Sequence, residues 1–201
     1  MNAKFDVTGL TLQTERLILR EWNLNDLDDL FEYASNPDAG PRAGWNPHPN
    51  KEESLRILKR FIEGKKTFAI VYKENNKVIG SLGVEFYALE DKLTEFNDYQ
   101  GRSIGYVLSK DYWGQGLMPE AVKTLIDYLF NVLNYDFLLS GHFDFNDRSR
   151  IVQEKCGFKP YRKISFDTHM DKQEPGVLML LINPNKDIKL NFSHPETLIW
   201  K

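Results

Sequence analysis

Residues 103–108 read as an extended apolar-rich strand, and they run directly into Ser109-Lys110-Asp111-Tyr112-Trp113-Gly114-Gln115-Gly116. Beyond that loop Ala121, Val122, Leu125, Ile126 and Leu129 recur at helical spacing. Strand, glycine loop and amphipathic helix in this order constrain the fold more than any other stretch of the chain. Successive backbone N–H groups and a helix N-terminus can there hold a phosphate or pyrophosphate, with glycines letting the ligand approach the backbone. A lone Gly-x-Gly is a weak signal, since a tight turn uses the same residues.

The flanking sequence supplies the rest of a mixed α/β domain. After a loosely held start, Leu12, Leu17 and Leu19 alternate with Thr14, Arg16 and Arg20, which predicts a strand over 15–21. Asn25 is a fair N-cap for a helix carrying Leu27, Leu30, Phe31 and Ala34. Residues 36–50 hold Pro37, Pro41, Pro47, Pro49, Gly40 and Gly44 and read as a loop, in which Trp45 is either a plug or a wall of a binding site. Asn50 with Glu53 resembles a capping box ahead of a helix bearing Leu55, Leu58, Phe61 and Ile62. A hairpin is expected over 68–72 and 78–86, then a polar connection over 90–102. After the long helix a strand over 137–145 meets Asn146-Asp147-Arg148-Ser149 and a short helix that stops at Cys156-Gly157-Phe158. Extended segments at 162–169 and 177–182 close a single domain over 1–201, with a core at 12–182 and a surface extension at 183–201.

Composition prunes the functions. With 201 residues, 41% hydrophobic, the chain can build a sizeable core, which excludes disorder and fibrous repeats. A net charge of −3 gives no general field for nucleic acid, and the small basic spots at 63–66 and 161–163 read as solvated surface. The longest strictly apolar run, 177–182, is too short to span a bilayer, and the N-terminus lacks an apolar signal segment. Cys156 is the only cysteine, so no internal disulfide forms, and a soluble cytoplasmic protein is expected. Its place before Gly157 argues for packing over nucleophilic use. His48, His142, His169 and His194 share no metal-ligand spacing, so no metal is expected. The Walker A loop, the full dinucleotide fingerprint and the Gly-x-Ser-x-Gly elbow are all missing.

Several segments, in order, resemble the GCN5-related N-acetyltransferases (GNAT), in the branch similar to ribosomal-protein N-terminal acetyltransferases. Thr14-Glu15-Arg16-Leu17-Ile18-Leu19-Arg20 is similar to the family's opening strand, and Val78-Ile79-Gly80-Ser81-Leu82-Gly83 to its third. Ile104-Gly105-Tyr106-Val107-Leu108 and Trp113-Gly114-Gln115-Gly116-Leu117-Met118-Pro119-Glu120-Ala121 resemble the strand and pyrophosphate loop that bind acetyl-coenzyme A. Asn146, Ser149 and Glu154-Lys155-Cys156-Gly157-Phe158 resemble the motif along the pantetheine arm. The resemblance implies a mixed, mostly antiparallel sheet of about seven strands splayed into a V, with about four helices. It also implies a cofactor set of Val107, Leu108, Trp113, Gly114, Gln115, Gly116, Leu117, Met118, Asn146 and Ser149. The Leu108 amide would stabilise the oxyanion. From spacing alone, Asn146 and Ser149 are equally ordinary N-caps.

Transfer to an amine requires removal of a proton, because amines of pKa near ~8 to ~10.4 are charged at neutral pH. Where relatives often carry a glutamate this chain has Ser103, so the resemblance leaves Glu85 and His142 as candidate bases. Each also has a bland reading, Glu85 as a solvated carboxylate and His142 as a packed histidine. Gln153 stands where relatives place a tyrosine acid, and Ser149 could hydrogen-bond the sulfur instead. Trp45 and Glu85 would face the acceptor, an amine-bearing small molecule or a protein N-terminus; nucleic acid and membrane are not expected as partners. The rivals are a non-catalytic acyl-coenzyme A sensor and a nucleotide-binding domain of another fold. Oligomeric state stays open, a homodimer among the options.

Overall fold

The computed structural model describes residues 2–87, 93–189 and 198–200. In chain order its elements are β1 (Leu12–Gln13), β2 (Leu17–Arg20), α1 (Leu27–Ala34), α2 (Lys51–Gly64), β3 (Thr67–Tyr72), β4 (Lys77–Glu85) and β5 (Gly101–Leu108). There follow α3 (Leu117–Asn131), β6 (Phe137–Phe143), α4 (Asp147–Lys155), β7 (Lys159–Asp167), β8 (Gln173–Ile182) and β9 (Leu198–Trp200). The architecture is mixed α/β, with four α-helices and mostly antiparallel strand pairing, as expected. Nine strands rather than about seven are present among the described residues, since β1 is a two-residue strand and β9 falls inside the expected surface extension. Contacts divide the chain into an N-terminal unit, Phe5–Val84 with Gly105–Leu125, and a C-terminal unit built from Glu85–Ile104, the chain from Ile126 onward and the residues up to Lys4.

In the N-terminal unit β1 to β4 form an antiparallel meander. Beside β4, the residue after β5 docks through the Ser109 N–H, which donates to the Ile79 carbonyl at 2.7 Å. The apolar stripes of α1 and α2 cover this sheet, burying Trp22, Leu30, Tyr33, Ala34, Leu58, Ala69, Val71 and Val78 in one core. The first helical segment is capped by Asn23 and not by Asn25. Asn23 accepts from the Asn25 N–H at 2.9 Å, while Asp26 returns to the Asn23 N–H at 2.9 Å. Asp28 stands three residues after Asn25 just as Asp26 stands after Asn23, but the reciprocal bonds form only at Asn23. Asn50 accepts from the Glu53 N–H at 2.9 Å, but the Glu53 carboxylate turns to Arg56 instead of back to the cap. The start of the chain is held in place, not loose: Val7 is buried and its N–H donates to Lys65 at 2.9 Å.

The C-terminal unit contains the first part of β5, paired in parallel with β6 over Gly101–Phe137, Arg102–Leu138 and Ser103–Leu139, where the ladder ends. Strands β6, β8 and β7 continue antiparallel, and β9 joins β7 in parallel, so the tail contributes to the sheet. Ala3 is tied in as well, its N–H donating to Gly101 at 3.0 Å. The 90–102 connection lies outside the described residues up to 92. Beyond that it is not simply polar, because Leu93 and Phe96 are fully buried and Phe96 stacks on Phe137 at 4.2 Å. The last two strands begin earlier than their sequences suggest. A bulge after Pro160 lets β7 accept a proline that cannot donate to the ladder. In β8, Pro175 and Gly176 are paired strand residues and not a turn. Gly176 is required because a Cβ there would lie 2.2 Å from the His142 carbonyl oxygen. Strand β6 stops at Phe143, with Phe145 half exposed beyond it.

Candidate active site

In the N-terminal unit Gly114 and Gly116 both adopt φ of +78°, a conformation side chains resist, and the space beside Gly114 is open. The loop therefore presents bare backbone at the start of α3. The Leu117 and Met118 amides precede any intrahelical acceptor, Pro119 has no N–H, and the Glu120 N–H closes the first turn on the Gly116 carbonyl at 3.2 Å. Arg16, just ahead of β2, holds this loop. Its Nη1 donates to the Gln115 carbonyl at 3.0 Å, while Nε and Nη2 donate to the Glu120 carboxylate at 2.8 and 2.6 Å. The Thr14 hydroxyl and the Arg16 backbone N–H also donate to Glu120. Burial pushes the Glu120 pKa up, but the bonds from Thr14 and Arg16 outweigh it and hold the group below the ordinary glutamate value. A carboxylate in the first turn of α3 would repel an anion; tied to Arg16 it is neutralised.

The neighbouring residues brace the same region. Trp113 donates its indole N–H to the Leu108 carbonyl at 2.9 Å, and the Arg42 guanidinium lies 5.8 Å from the Trp113 ring centre. Leu108 is buried and Val107 half-buried. Lys110 pairs with Asp38, which joins the 36–50 loop to the segment after β5. Trp45 packs against the core of this unit and against His48, with ring centres 5.1 Å apart, so it pins its loop. His48 meets Ser54 at 2.7 Å, and burial lowers its pKa.

In the C-terminal unit His142, Ser149 and Asn146 gather at the β6–α4 junction, around a residue the sequence flagged only for lacking an acidic proton. Gln153, 1% exposed, donates from Nε2 to Ser140 Oγ at 2.9 Å and to the Gly141 carbonyl at 3.0 Å. Its Oε1 lies 2.6 Å from His142 Nδ1. Ser140 passes the chain on by donating to the Ile104 carbonyl at 3.1 Å. Ser149 Oγ is a longer 3.5 Å from Gln153 Nε2. Asn146 takes the cap role, accepting from the Ser149 N–H at 3.3 Å. Glu85 is half-buried at the end of β4. Cys156 is buried at the C-cap of α4. At the 161–163 spot Lys163 is exposed as expected, but its neighbours are not solvated surface. Arg162 and Glu95 are each 9% exposed and pair at 2.9 Å, with the Tyr161 hydroxyl also on Glu95. Burial first, and then the Glu95 bond, raise the Tyr161 pKa.

The loop, the helix it opens and the strand before it match the family model for the acetyltransferase (GNAT) domain over residues 16–159. The chain belongs to the GNAT acetyltransferase family. Among curated relatives, the N-acetyltransferase p20 of Bacillus licheniformis is 35% identical over 129 residues, covering 62% of this chain and 68% of that protein. The GNAT-family acetyltransferase structure from Bacillus anthracis superposes with a TM-score of 0.73 at 19% identity, over 87% of this chain and 99% of its own. The ribosomal-protein-S5-alanine acetyltransferase of Vibrio fischeri has a TM-score of 0.65 at 21% identity, over 90% and 99%. This GNAT protein is thus an acetyl-coenzyme A-dependent acyltransferase, and the nucleotide-binding and sensor readings lose their support. No group of three His, Cys, Asp or Glu side chains is placed to hold a metal among the described residues, and no described helix is long and apolar enough to cross a membrane.

Arg16, Thr14 and Glu120 were not singled out as site residues by sequence reasoning. The pair is 104 positions apart, and no local spacing reveals it.

Proposed function

We propose that this GNAT protein acetylates a primary amine, on a protein N-terminus or a small molecule, by direct attack of the amine on bound acetyl-coenzyme A. The observation that carries this reading is the bare glycine loop, with Gly114 and Gly116 at positive φ and the unfilled amides of Leu117 and Met118 at the start of α3. Amides of residues 114–118 would grip the pyrophosphate, with Arg16 holding the loop in shape. The Leu108 N–H would meet the oxyanion, and Val107 and Trp113 would support that segment. Asn146 and Ser149 would serve the pantetheine arm and the sulfur, the former alongside its cap. The loop that Trp45 pins and α2 would wall the acceptor side.

In the reaction the amine nitrogen forms a bond to the thioester carbonyl carbon, and the C–S bond breaks to release coenzyme A. The amine proton passes to a base, for which Glu85 and His142 are the candidates, and ends on the departing thiolate. Proximity and oxyanion stabilisation supply most of the rate.

Calorimetric titration with acetyl-coenzyme A, with thiol release followed against a panel of amines and N-terminal peptides, tests this. Binding together with amine-dependent release is the expected result. Binding with no release from any amine overturns the amine-transfer reading, and absence of binding overturns the loop assignment.

A further inference from the structure

We infer that Gln153 is a positioning residue that fixes His142 as its Nδ1–H tautomer, leaving Nε2 as the acceptor of the amine proton. The inference deepens the amine-transfer reading above and rests on it.

The orientation of the Gln153 amide follows from its neighbours. A backbone carbonyl only accepts, so the Gln153 atom 3.0 Å from the Gly141 oxygen is the NH2 group. The same nitrogen reaches Ser140 Oγ at 2.9 Å, and Ser140 turns its own proton to the Ile104 carbonyl at 3.1 Å. Both amide protons are thereby used, and the other terminal atom is the carbonyl Oε1. It lies 2.6 Å from His142 Nδ1, too close for a ring carbon and possible only if that nitrogen carries a proton. In the neutral ring the proton count then leaves Nε2 with its lone pair. Nε2 has no hydrogen-bond partner among the described residues, and the ring is 7% exposed.

A histidine in water favours the opposite tautomer, so the network changes what His142 can do. With Nδ1–H anchored, Nε2 takes the proton from the amine as the C–N bond forms. The imidazolium keeps its bond to Oε1 and returns a proton to the thiolate as the C–S bond breaks. Proton transfer of this kind is worth about a hundredfold or more in rate.

The test uses full-length protein with 15N-labelled histidine, held at a pH where imidazoles are neutral. Long-range 1H–15N spectra of the wild type, with the His142 signals assigned by their loss in His142→Gln, are expected to show the proton on Nδ1. A proton on Nε2 of His142 overturns the inference, whatever the activity. Gln153→Met, which removes the acceptor, is expected to move the proton toward Nε2. Its kcat should fall about tenfold or more, with the KM for acetyl-coenzyme A unchanged. His142→Gln should lose about a hundredfold in kcat. A kcat within twofold of wild type in His142→Gln overturns the base role. Failure of the wild type to release thiol with any amine overturns the amine-transfer reading and the base role with it, whereas the spectrum reports the tautomer independently of turnover.

Discussion

In the N-terminal unit the glycine loop is held by charge: Arg16 grips Glu120 and the Gln115 carbonyl from a half-exposed position, its side chain 39% exposed. In the C-terminal unit His142 is held by a neutral amide, with Gln153 only 1% exposed and each of its polar atoms engaged by a neutral partner. On the proposed function, the difference follows from what each region would have to do. A loop that meets an anion benefits from a cation nearby and tolerates adjustment on binding. A ring that must present one particular nitrogen needs a rigid partner, and a buried neutral hydrogen-bond network supplies rigidity without the desolvation cost of an ion. The first arrangement should respond to salt, the second should not.

The Arg162–Glu95 pair offers the hardest test of that contrast, because it places a buried ion pair in the same unit as the neutral Gln153 network. Both side chains are 9% exposed, so Glu95→Ala strands a buried guanidinium and should cost about 3–5 kcal/mol in denaturant unfolding, largely independent of salt. A loss under about 1 kcal/mol, or one that shrinks strongly with salt, would show that burial does not separate the two kinds of contact. Next in size, Gln153→Met leaves His142 Nδ1–H, Ser140 Oγ and the Gly141 carbonyl without their partner. The expected destabilisation is about 2–3 kcal/mol, again the same at low and high salt. Arg16→Ala should cost only about 1 kcal/mol and lose most of that effect in high salt, as partly exposed pairs do. Its larger consequence is functional: the KM for acetyl-coenzyme A should rise several-fold with a smaller change in kcat, read from steady-state kinetics at fixed ionic strength.

Sequence pattern revealed the parts of this molecule that depend on local rules. The strand, glycine loop and helix around Gly114 and Gly116 are written in turn chemistry and helical spacing, and the hairpin of β3 and β4 in alternating apolar runs. What it hid are choices made by distant partners. Asn23 and Asn25 are equivalent caps until Asp26 is seen to return to Asn23 and to be held by Arg20 at 2.8 Å through both its oxygens. Pro175-Gly176 lies outside the extended segment expected at 177–182 until the His142 carbonyl is found against Gly176. Arg162 looks like a solvated cation until Glu95 meets it. In the candidate site the loop was legible, whereas its clamp and the anchor of His142 were not, since both are contacts across the fold.

The smallest predicted effect distinguishes charge from packing at the loop itself. Thr14 and Arg16 hold Glu120 below the ordinary glutamate pKa in the folded protein, while in the unfolded chain it titrates near the ordinary value of 4.5. A depressed folded pKa means that the carboxylate stabilises the fold at pH values above that unfolded value. The contribution fades as the pH falls below it toward the folded value, because the proton then binds the unfolded chain first. Glu120→Gln keeps the shape and removes the titration. Wild type should therefore be more stable than Glu120→Gln by a nearly constant few tenths of a kcal/mol to about 1 kcal/mol above about pH 5, with the gap closing as the solution is acidified further. Thermal unfolding of both proteins between about pH 6 and pH 3 reads this directly. A gap that persists unchanged to pH 3 would mean that Glu120 acts by packing alone, and the charge-held loop would no longer differ in kind from the neutral network around His142.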